Sequence, residues 1–74
     1  KEDLKDHQGA IADYTKAIAI NPQFAAAYFN RGLLKGKRLE DYQGMCLDFK
    51  KASSFGNQDA INALLKLKPT GICQ

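Results

Sequence analysis

The chain is poor in the residues that carry chemistry. Among 74 residues there are two cysteines and one histidine. Neither Cys46 nor Cys73 lies in a CxxC or near the histidine at ligand spacing, so no disulfide framework and no metal site is predicted. Cys46 falls on a helical apolar face and reads as a small buried hydrophobe, and Cys73 reads as part of a fraying tail. Nothing in that pattern demands an oxidising compartment. No apolar run approaches the ~20 residues of a membrane-spanning helix. The opening KEDLKDHQG is charged, unlike a signal peptide. Both absences favour a cytoplasmic location. Alternation of apolar and polar residues, the mark of a half-buried strand, is missing throughout.

Catalysis is equally thinly provided for. His7 has no cysteine or serine placed to pair with it, and a structural imidazole is the preferred reading. The eight acids read as helix starts and solvated faces. Gly32 and Gly36 lie inside a helical stretch, so they make no phosphate loop. No catalytic, cofactor-binding or metal-binding residue is predicted, and the chain is read as a non-enzyme with no cofactor.

The charge balance is mild, +3 with a pI near 9.0. A nucleic-acid binder concentrates positive charge on one face with aromatics between. The one dense patch here, Lys35-Gly36-Lys37-Arg38, is better read as a helix C-terminus, where cations oppose the negative end of the macrodipole. A nucleic-acid partner is the least favoured reading, and no membrane partner is expected.

What the chain does have is a repeat. Apolar residues make up 45% of it, enough for a folded domain. Asp6-His-Gln-Gly-Ala-Ile-Ala-Asp-Tyr-Thr-Lys-Ala17 aligns with Asp41-Tyr-Gln-Gly-Met-Cys-Leu-Asp-Phe-Lys-Lys-Ala52, with six of twelve positions identical and an offset of 41 − 6 = 35 residues. A fixed period of this size means stacked units, each unable to bury its apolar face alone. Ala10, Ile11, Tyr14, Ala17 and Ile18 fall on one face of a helix, as do Met45, Cys46, Phe49 and Ala52. Asn21-Pro22 reads as an N-cap with proline at the first helical position. Gly56 can take a left-handed turn, Asn57 can cap the next helix, and Pro69 stops it. Helices are predicted at about 8–20, 23–38, 41–54 and 58–67.

With this spacing the sequence resembles the tetratricopeptide repeat, as a bacterial-type array fragment ending in a cap helix. Tyr28 and Gly32 match the first helix of the unit, and Tyr42, Phe49 and Ala52 the second. Ala10, Tyr14, Ala17 and Pro22 match the preceding half-repeat, with His7 where an aromatic is usual. The resemblance covers about residues 4–56. It implies an all-α fold of antiparallel helix-turn-helix repeats, a right-handed α-solenoid of about 1.5 repeats plus a cap helix. One domain is expected, with a partial repeat at 1–22, a complete one at 23–56, a capping helix at 57–68 and a tail at 69–74. Gly32, with Ala17 and Ala52 on facing helices, keeps the backbones close. The period exceeds the family's 34 by one residue within Lys35–Asp41, so a bulged or lengthened helix is expected there. Met45 stands where a small residue is usual.

The family's function as a protein-interaction scaffold is carried over with the positions that line its groove: Ala26, Phe29, Asn30, Leu33 and Lys37. Phe29 and Leu33 could equally pack against the next helix. Asn30 occupies the centre of the family's carboxylate clamp, but the flanking basic residues are missing and chaperone binding is not expected. Lys1–Lys5 could be the tail of an earlier helix. Ile11, Tyr14 and Ile18 would then form a partly bare face, favouring a self-associating module (a homo-oligomer) or a fragment of a longer array.

Overall fold

The structure, a computed structural model, describes residues 6–73. Four α-helices follow one another: α1 His7–Ile20, α2 Ala25–Lys37, α3 Tyr42–Ser54 and α4 Gln58–Leu67, with a 3-10 turn at Lys68–Thr70. The fold is all-α, within a residue or two of the predicted bounds. Lys1–Lys5, read as the tail of an earlier helix, lie outside the described residues.

Each helix packs on the next along the chain, α2 against α3 most extensively. Such nearest-neighbour stacking is the quasi-one-dimensional arrangement of a repeat protein. The repeated sequence has a local cause. Asp6 caps α1 by accepting from the Gly9 N–H (2.9 Å), and Asp41 caps α3 by accepting from the Gly44 N–H (3.0 Å). Each carboxylate satisfies a backbone donor that the helix leaves unpaired. A Cβ on Gly9 would lie within 2.6 Å of the Asp6 carboxylate, and one on Gly44 within 3.0 Å of the Asp41 carboxylate carbon, which is why glycine recurs there.

The expected cap at Asn21 is different in the structure. α2 begins four residues later, at Ala25, and its N-cap Phe24 offers no side-chain acceptor. Asn21 instead ends α1 and turns the chain, accepting from the Gln23 N–H with its side chain (3.2 Å) and from the Phe24 N–H with its carbonyl (3.0 Å). Pro22, with its locked φ, sits in this turn rather than in the helix.

The extra residue of the 35-residue period also falls outside the helices. α2 has 13 residues, as many as α3, and is neither bulged nor lengthened. Glu40 takes up the insertion in a left-handed conformation (φ 56°), a position costing a non-glycine residue about 1–2 kcal/mol. The turn closes through Asp41 N–H to the Lys35 carbonyl (2.7 Å). After α3 the corresponding bond, Asn57 N–H to the Ala52 carbonyl (3.0 Å), spans one residue fewer and uses Gly56 at φ 90°. Asn57 then caps α4 through the Ala60 N–H (2.8 Å).

The core is small. Met45, Cys46 and Phe49 of α3 are buried, and Phe29, Leu33, Leu64 and Leu67 pack against them. Gly32 lets α2 approach: a Cβ there would lie 2.9 Å from Phe49 and 3.0 Å from the Asp48 Cβ. Gly36 faces Met45 in the same way, its Cβ position 3.1 Å from the Met45 Cγ. That pairing of no side chain with a long one explains how methionine fits where the family has a small residue.

The cysteines overturn the sequence reading. Cys46 and Cys73 form a disulfide, with Cα atoms 5.3 Å apart at a sequence separation of 27. Cys46 is buried as expected, but Cys73 belongs to no frayed tail: Pro69 and a left-handed Gly71 turn the chain back onto α3. A 27-residue loop closed in this way removes about 3.5 kcal/mol of unfolded-chain entropy. Reduction is expected to lower the melting temperature by about 15 °C for a domain of this size. Calorimetry with and without a phosphine reductant checks this, and a shift under 5 °C would show that packing alone holds the tail.

Candidate partner-binding surface

α2 places Ala26, Asn30, Leu33 and Lys37 on one face, since they follow at four, seven and eleven residues. Ala26 and Lys37 are exposed and Asn30 is half-buried. Neither the Asn30 amide nor the Lys37 ammonium is engaged by another described residue. Phe29 and Leu33 are placed differently. Phe29 stacks on Phe49, with ring centroids 5.3 Å apart and planes at 27°, and Leu33 packs against the same core. Both are half-buried.

Arg31, the residue beside Asn30, anchors this helix. Its Nε and Nη2 donate to the two carboxylate oxygens of Asp48 at 2.9 and 2.8 Å, and its Nη1 donates to Thr15 Oγ1 at 3.1 Å. Thr15 in turn donates to the Ile11 carbonyl at 2.8 Å. Lys35 Nζ lies 3.4 Å from Asp48 Oδ2, and the guanidinium lies 5.5 Å from the centre of the Tyr28 ring. One side chain thus ties α1, α2 and α3 together. The paired geometry is the fork that guanidinium offers and ammonium does not. The hydrogen bond to Asp48 raises the pKa of Arg31 above its ordinary value against the opposing effect of burial. That contribution is in place at neutral pH and is lost on the alkaline side as pH rises through the raised value.

Asp48 contradicts the reading of the acids as helix starts and solvated faces, since it is 4% exposed. Asp13, its counterpart in the repeat, is exposed and fits that reading. The signal was available: Asp48 stands between Cys46, Phe49 and Ala52 on the apolar arc of α3. An acid there needs a cation, and Arg31 and Lys35 are one turn apart on the helix before it.

The face read for self-association lies on α1. Ile11, Tyr14 and Ile18 are half-buried, and α1 has no fully buried residue. His7 is the first residue of that helix and is half-buried. Among the described residues no group of three His, Cys, Asp or Glu side chains comes together as metal ligands would.

A family model described as TPR repeat matches residues 3–37, the stretch that carries α1, the Asn21-Pro22 turn and α2. That segment is a tetratricopeptide repeat. No match is found among curated proteins or among solved structures. Tetratricopeptide repeats generally mediate protein–protein interaction. The match ends before α3, and the 35-residue internal repeat is what relates α3 to α1. No described helix is long and apolar enough to cross a membrane.

Arg31→Met is expected to destabilise the repeat by roughly 3 kcal/mol, the low end for orphaning a buried charge, because Lys35 remains beside it. Arg31→Met with Asp48→Leu should recover most of that loss, since an apolar pair replaces the orphan. Urea unfolding of both variants measures the difference; a loss under 1 kcal/mol for the single variant would remove Arg31 from the role of anchor.

Proposed function

We propose that this chain is a non-catalytic scaffold whose α2 face binds a peptide or a partner protein. The observation that carries the reading is the row Ala26, Asn30 and Lys37 on a helix of a tetratricopeptide repeat, with two polar groups that no other described residue engages. Asn30 can both donate to and accept from an extended backbone, and Lys37 attracts a carboxylate. Phe29 and Leu33 contribute apolar edges and hold the helix in place. We read the chain as one domain: a partial repeat at 1–22, a complete repeat at 23–56, a capping helix at 57–68 and a tail at 69–74. The disulfide weighs against the cytoplasmic location suggested by the sequence, because cytosolic glutathione keeps thiols reduced.

Asn30→Ala with Lys37→Glu tests the reading. Helicity by circular dichroism should be unchanged, while a partner retained by the immobilised wild-type chain should lose at least tenfold in affinity. Full retention of binding by the double variant would refute the assignment of this face.

A second reading rests on the half-covered Ile11, Tyr14 and Ile18 of α1. There a second copy of the chain packs on this face, giving a homo-oligomer. Light scattering across a concentration series should show the mass double, and Ile18→Asp should return it to one chain. A constant single-chain mass for the wild type would end this reading.

A further inference from the structure

A second surface, sharing no residue with the α2 face, lies between α3 and α4. It is an open trough of about 440 Å³. Ile61, Leu64 and Leu65 form its wall on α4, and Cys73, held by the disulfide, closes one side. Lys50 of α3 and Lys68 at the end of α4 stand at its rim. Leu65, on that wall, is 61% exposed, so an occupant that covers it removes apolar surface from water.

Among the described residues the charges on the trough are of one sign: Lys50 and Lys68 are the only ionisable groups lining it, and neither has an acidic partner there. Ser53, the remaining polar group, already donates to the Lys50 carbonyl at 3.3 Å. An occupant must therefore bring apolar side chains to the floor and negative charge to the rim. The trough runs between two packed helices, a shape that accepts a third helix, and it offers no strand edge for an extended peptide. Two lysines beside an apolar floor suit neither a nucleic acid, which needs a run of cations, nor a large anionic surface.

The geometry points to a docking site for an amphipathic helix of a partner protein, with acidic residues flanking its apolar stripe. The disulfide serves this site by fixing the Cys73 side before binding, so that less order has to be created on association.

Two labelled synthetic helical peptides test it, sharing one leucine stripe but flanked by glutamate in one and lysine in the other. Fluorescence anisotropy should show the glutamate peptide binding at least tenfold tighter. Lys50→Glu with Lys68→Glu should reverse that preference, and Leu65→Asp should weaken both peptides at least tenfold. All three positions are exposed, so circular dichroism should report an intact fold. Asn30→Ala with Lys37→Glu should leave the binding unchanged, which separates this site from the α2 face. Equal affinity for the two peptides, or indifference to the lysine reversal, overturns the site. So does loss of binding confined to the Asn30 and Lys37 variant.

Discussion

A carboxylate at the meeting point of α1, α2 and α3 has to be neutralised, and the placement of the helices around it follows from that need. Asp48 is nearly inaccessible to water, and both its oxygens are held by Arg31. A buried ion pair adds little net stability compared with an apolar pair of the same volume, but leaving one partner alone is costly. Its effect here is on register. Arg31 can reach both oxygens of Asp48 and the hydroxyl of Thr15 only with α2 in one rotation and one position along α3. That rotation turns Ala26, Asn30 and Lys37 outward and Phe29 onto Phe49. The chemistry of a buried charge thus sets the geometry of a surface.

Close approach at Gly32 and Gly36 is the other half of the same constraint. Without side chains at these points α3 comes near enough for the Arg31 fork to close and for Met45 to lie across α2. The seam works as large against absent, and the buried alanines Ala52 and Ala60 allow close packing where α3 meets α4. Small residues at contacts and large ones beside them give the dense packing that a core this small requires.

Repeat proteins add stability neighbour by neighbour. Beside α4 a covalent bond adds to that packing. The disulfide brings residues 68–73 back onto α3, covers part of its apolar face and leaves a trough beside it. Two surfaces of different character result: a mainly polar row on α2, and an apolar trough with a basic rim between α3 and α4.

The helices themselves were legible in the sequence, because apolar spacing, the recurring Asp-x-x-Gly starts and the Gly56-Asn57 turn are local signals. So was the close approach at Gly32, since it follows from a repeat that must stack. The wide turn at Glu40 was not: an inserted residue can go into a helix or a loop, and the choice depends on how α2 and α3 meet. Whether Phe29 served a partner or the core was undecidable from spacing, because both lie along one arc of the helix. The burial of Asp48, which the sequence only hinted at by placing it beside the apolar residues of α3, and the joining of Cys46 to Cys73 were decided by tertiary structure. Each depends on groups 13 to 27 residues apart coming within bonding distance, and periodicity along one helix carries no information about such a distance.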